Sequence, residues 1–139
     1  MAAKKTVKQI ITSGKRKKAI ARAVAFEGNG IIRVNNVPVS EIQPLMARMK
    51  LEEPILIAGD RINKLDIDAK VTGGGVMSQA DAARLAISKA IVAFTKDKKL
   101  EKDYLDYDRH LLIADVRRKE TRKPNSHGKA RARVQKSYR

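Results

Sequence analysis

A single domain that mixes β-strands with α-helices and carries a basic arm is the architecture this chain points to, and three observations lead there. Leu65, Ile67, Ala69 and Val71 alternate with Asp66, Asp68, Lys70 and Thr72, the period of two that marks a half-buried strand. Ala83, Ile87, Ala90, Ile91 and Phe94 recur at helical spacing and form an apolar stripe. From Val116 onward apolar residues nearly vanish, so residues 116–139 cannot offset their ordering entropy by burying a core and are expected to be disordered in isolation. The division is therefore a globular domain over residues 1–115 and an arm over residues 116–139. The first of these is long enough for one hydrophobic core.

Thr6 to Ser13 and Ala19 to Phe26 are rich in β-branched residues and read as strands joined by the basic turn Gly14-Lys15-Arg16-Lys17-Lys18. The second strand sets Ala19, Ala21, Ala23 and Ala25 on one face and Ile20, Val24 and Phe26 on the other. Such a strand belongs inside a sheet, with the alanine face allowing a neighbouring layer to approach closely. Gly28-Asn29-Gly30 turns the chain into a strand over Ile31 to Val34, and Asn35-Asn36 turns it again. Ser40 and Gln43 have capping-box spacing, and Glu52-Glu53-Pro54 has the chemistry of a helix start, so Ser40 to Ala58 reads as helical but broken. After the strand Leu65 to Thr72, the turn Gly73-Gly74-Gly75 leads to Ser78, a candidate cap with Asp81 three residues on. The helix that follows sets Asp81, Arg84, Ser88 and Thr95 on its polar face. A charged helix is expected from about Asp97 to Tyr107, and Leu111 to Ala114 is expected to return to the sheet.

Charge is segregated to the two ends. Residues 1–22 hold eight basic side chains and no acid, residues 116–139 hold ten against Glu120, and the middle holds 13 basic and 14 acidic. A net charge of +16 arranged this way needs a dense polyanion as counterion, which makes a nucleic-acid backbone the leading partner. The only aromatics are Phe26, Phe94, Tyr104, Tyr107 and Tyr138, too few and too scattered for a base-stacking platform. Runs such as Lys129-Ala130-Arg131-Ala132-Arg133 suit phosphate contacts that do not read sequence.

Other chemistries find little support. The chain has no cysteine, and its two histidines, His110 and His127, have no ligand-like spacing, so neither a disulfide nor a metal site nor any cofactor is expected. Asp103, Asp106 and Asp108 suit a charged helix end better than a catalytic carboxylate pair. The glycine turn lacks the Gly-Lys-Ser/Thr of a phosphate loop, and its spacing is not that of a dinucleotide site, which argues against a small-molecule substrate. It suits instead a tight packing turn or one that docks on RNA phosphate. No apolar run approaches the roughly 20 residues of a membrane helix, and no apolar region follows the charged start as in a secretory signal. A cytoplasmic, non-enzymatic protein is expected.

Gly73-Gly74-Gly75-Val76-Met77-Ser78-Gln79-Ala80-Asp81-Ala82-Ala83-Arg84-Leu85-Ala86 and the residues to Ile91 resemble the signature of the ninth small-subunit ribosomal protein family. Gly14-Lys15-Arg16-Lys17-Lys18-Ala19 to Ala23 is similar to its N-terminal motif, and Gly128-Lys129-Ala130-Arg131-Ala132-Arg133 to Arg139 to its C-terminal end. The ending Gln-Lys-Ser-Tyr-Arg looks like the archaeal and eukaryotic cytosolic branch. The stretch Thr121 to His127 departs from the run richer in glycine and lysine that the family leads one to expect.

The resemblance implies an α+β domain like the second domain of ribosomal protein S-five, with a four-stranded sheet, helices on one side and an extended basic C-terminal arm. It also implies a place in the head of the small subunit beside neighbouring head proteins. Lys15, Arg16, Lys17, Lys18, Arg22, Arg117, Arg118, Arg122, Lys123, Lys129, Arg131 and Arg133 would meet ribosomal RNA. Lys136, Tyr138 and Arg139 would reach peptidyl-site tRNA, and Gly73 to Gly75 form a structural turn. The competing reading is an architectural DNA-binding protein of chromatin type, which pairs a small domain with basic arms in the same way.

Overall fold

Strand pairing organises the chain. The computed structural model describes residues 9–133. β1 (Ile10–Arg16) and β2 (Ala19–Glu27) form an antiparallel hairpin in which Arg16 pairs with Ala19, so only Lys17 and Lys18 turn. β1 thus runs through Gly14 to Arg16, residues expected to turn, while Thr6 to Lys8 of the expected strand lie outside the described residues. β3 (Ile32–Val34), β4 (Val37–Pro38) and β5 (Leu65–Thr72) complete the sheet in the order β1-β2-β5-β3-β4. It has five strands rather than four, because the Asn35-Asn36 turn folds two further residues back as an edge strand. Pro38, which lacks an N–H, ends it there. Among the described residues only β3 and β5 pair in parallel.

Three helices cover one face. α2 (Val76–Thr95) lies across β1, β2 and β5, α1 (Leu45–Ala58) packs on α2, and α3 (Lys98–Tyr107) closes on α1. The alanine face of β2 is fully buried, as are Ala82, Ala83, Ala86 and Ala90 of α2. Small residues on both sides let helix and sheet meet backbone to backbone: the Thr12 hydroxyl donates to the Ala86 carbonyl at 2.8 Å, and a Cβ on Gly14 would collide with the Ala82 carbonyl oxygen. The other face of β2 is open, with Ile20 41% exposed, so the strand is internal to the sheet without being covered on both sides.

Four local expectations are corrected. α1 runs unbroken through Pro54, and the interruption falls before it, at Ile42 to Pro44. Proline disfavours helix in the residue that precedes it, and Pro44 serves as the N-cap with no help from Ser40. α2 begins at Val76 with Gly75 as N-cap, so Ser78 and Asp81 lie inside the helix and do not cap it. Arg84 and Ser88 of its supposed polar face are buried, because α1 and the turn after α3 pack on that side as well. Leu111 to Ala114 do not rejoin the sheet. Asp108 accepts the His110 N–H at 2.9 Å and caps a 3-10 turn over Arg109–Leu111, which sends Leu111 into the core.

Candidate nucleic-acid interface

The β1–β2 turn, the glycine turn and the base of the arm are far apart in the chain, and the fold makes them neighbours. β2 pairs with β5 so that Ile20 lies opposite Thr72, which sets the end of β5 beside the Lys17-Lys18 turn. Gly73 and Gly74, at φ +76° and +69°, then carry the chain over that turn into α2. A Cβ on Gly73 would lie 2.6 Å from the Lys18 carbonyl oxygen. Both the left-handed backbone and the close approach demand glycine at this position.

An open groove of about 830 Å³ results, lined by Lys15, Lys17, Lys18, Ile20, Gly74, Gly75, Ser78, Arg117, Arg118, Lys119 and Thr121. Six of these side chains are cationic, and no acid or histidine joins them. The first turn of α2 faces the same space through Gly75 and Ser78, and unpaired N–H groups at a helix start favour anions. Cations on two walls with a helix start between them form a cradle for phosphate, with no nucleophile–base pair for catalysis. Among the described residues no cluster of histidine, aspartate and glutamate is suited to a metal ion, and no helix is long and apolar enough to cross a membrane.

The expected contact residues divide into groups. Lys15, Lys17, Lys18, Arg117 and Arg118 meet in the groove, joined by Lys119, which only its place in the Arg117-Arg118-Lys119 run would have signalled. Arg16 turns away from it. Its guanidinium lies 3.8 Å from Asp81 of α2 and 3.1 Å from Asp115, with the side chain 19% exposed. Arg22 sits on the open sheet face between Ser13 of β1 and Lys70 of β5.

Arg122, Lys123, Lys129, Arg131 and Arg133 lie along the arm, which contains no helix or strand among the described residues. Between Glu120 and Arg131 it loops back, with Lys123 at 3.2 Å and Arg131 at 3.0 Å from the Glu120 carboxylate. Those two cations hold Glu120 below its usual pKa, the Lys123 hydrogen bond most strongly. No ion pair engages Lys15, Lys17, Lys18, Arg22, Arg118, Arg122, Lys129 or Arg133 among the described residues. Lys136, Tyr138 and Arg139 lie outside them.

Residues 14–139 match the family described as ribosomal protein S9/S16. The chain is 50% identical over 133 residues to small ribosomal subunit protein uS9 of Methanothrix thermoacetophila, covering 96% of this chain and 100% of the relative. It is 49% identical over 134 residues to uS9 of Methanococcus vannielii, with the same coverage.

Proposed function

Because the chain belongs to the archaeal branch of the ribosomal protein S9/S16 family, we propose that it is a non-catalytic structural component of the small ribosomal subunit that grips ribosomal RNA with the groove around Gly74. The observation that carries the RNA contact is the meeting of six cations from two separate basic segments at the start of α2. RNA phosphates seated there release condensed counterions, so binding falls steeply with salt. Arg22, Arg122, Lys123, Lys129, Arg131 and Arg133 extend the contact along the sheet face and the arm.

Beyond the groove, the C-terminal residues Lys136, Tyr138 and Arg139 reach peptidyl-site tRNA, and the domain borders other head proteins of the cytoplasmic ribosome. Arm residues 116–139 act as the reaching unit and residues 1–115 as the anchor. Deleting Lys136 to Arg139 is expected to leave subunit assembly intact and to weaken tRNA retention in the peptidyl site, read by filter binding on reconstituted subunits. Unchanged tRNA affinity would refute the tRNA contact. Sedimentation of the tagged chain with the small subunit tests the wider reading, and migration with chromosomal DNA would favour the architectural alternative.

A further inference from the structure

We propose that Asp115 is a positioning residue, a latch that holds the base of the arm against the β1–β2 hairpin and so builds one wall of the RNA groove. It stands two residues before the basic run Arg117-Arg118-Lys119, and its side chain is only 11% exposed. One carboxylate gathers two segments. Its Oδ1 accepts the Arg117 backbone N–H at 2.9 Å, its Oδ2 accepts from Arg117 Nη2 at 2.8 Å, and its Oδ2 lies 3.1 Å from Arg16 Nη1 of β1. Asp81 of α2 holds Arg16 from the other side at 3.8 Å, so hairpin, helix and arm base share one junction.

Arg16 therefore serves the groove by its ion pairs and not by touching phosphate. Of the six basic residues that line the groove, Lys15 and Lys17 flank Arg16 in sequence, and Arg118 and Lys119 directly follow the latched Arg117. An arm base free to move would spread those cations and add an ordering cost to every encounter with RNA.

The inference rests on the groove reading above, and the sign of one effect separates the two. Removing a carboxylate beside a cationic groove strengthens phosphate binding if charge alone matters. If Asp115 positions the arm, Asp115→Asn weakens it. The test measures the affinity of the full chain for a short RNA duplex at fixed salt, with Asp68→Asn, at an exposed carboxylate of β5 outside the junction, as a control that removes the same charge without releasing the arm.

The expected result is a loss of about threefold to tenfold for Asp115→Asn and no loss for Asp68→Asn. Since the chain contains no cysteine, spin labels on Lys17→Cys and Lys119→Cys report the groove width directly. Asp115→Asn should broaden that distance distribution, and Asp115→Glu should keep it narrow. If Asp115→Asn does not fold, Arg16→Met opens the same ion pair and should broaden the distribution alike. Equal or tighter RNA binding by Asp115→Asn, or an unchanged distance distribution, would overturn the latch. A wild-type chain that fails to bind RNA would instead overturn the groove.

Discussion

Asp66 shows how much a single side chain on a strand can organise. The sequence places it on the solvent face of β5, and there it is, but its carboxylate accepts the backbone N–H groups of Asn29 at 2.7 Å and Ile31 at 2.9 Å. The carboxyl seats so closely on Gly28 that a Cβ there would collide with it, which explains the glycine in that turn. The Ile31 N–H, above all, holds the Asp66 pKa below the ordinary carboxylate value, against a smaller opposing push from burial. A depressed folded pKa means that the stabilisation is complete above the unfolded value of about 3.9 and fades as pH falls through the folded value. Urea midpoints of the wild type are therefore expected to drop below about pH 4, and Asp66→Asn to flatten that drop. Gly14→Ala tests the other tight approach: with a Cβ 2.8 Å from the Ala86 nitrogen, it is expected to cost about 1–3 kcal/mol in urea unfolding.

Among the elements, α1 is the one whose course its own residues do not explain. Proline inside a helix removes a hydrogen bond and crowds the preceding turn, which is why Glu52-Glu53-Pro54 suggests a boundary. Tertiary contacts carry the helix through. Pro54 is buried, and its carbonyl accepts the hydroxyl of the fully buried Tyr104 of α3 at 2.7 Å. Burial pushes the Tyr104 pKa well above its ordinary value, so the hydroxyl stays a donor throughout the stable range. Tyr104→Phe leaves that buried carbonyl without its donor and is expected to destabilise the fold by about 1–3 kcal/mol, measured by thermal or urea unfolding. α2 has a related lesson. Arg84 reads as solvent-facing from its spacing, yet it is buried and paired with Glu53 of α1 and, at 2.9 Å, with Asp108 beyond α3. Only the packing of three helices makes that side of α2 an interior.

For the molecule as a whole, the expected signature is a salt dependence that tracks the groove. Each phosphate contact on a duplex contributes about −0.9 to the slope of log K against log salt, so Lys17→Gln, Lys18→Gln and Arg118→Gln should each reduce its magnitude by about that amount. Arg16→Gln should not, since Arg16 is already neutralised by Asp81 and Asp115. That contrast also marks where sequence reasoning stops. The periods of two and 3.6, the alanine face, the helix Lys98–Tyr107 and the two cationic ends were all legible in the chain. Each depends only on residues near one another along it, so local spacing and composition suffice. Which of the cations share a cradle, which are engaged in ion pairs, and what Asp115 is for were not legible. Those answers depend on the register that sets Ile20 opposite Thr72 and on the return of the chain after α3 to the hairpin. Both are outcomes of packing between segments distant in sequence, and no local pattern encodes them.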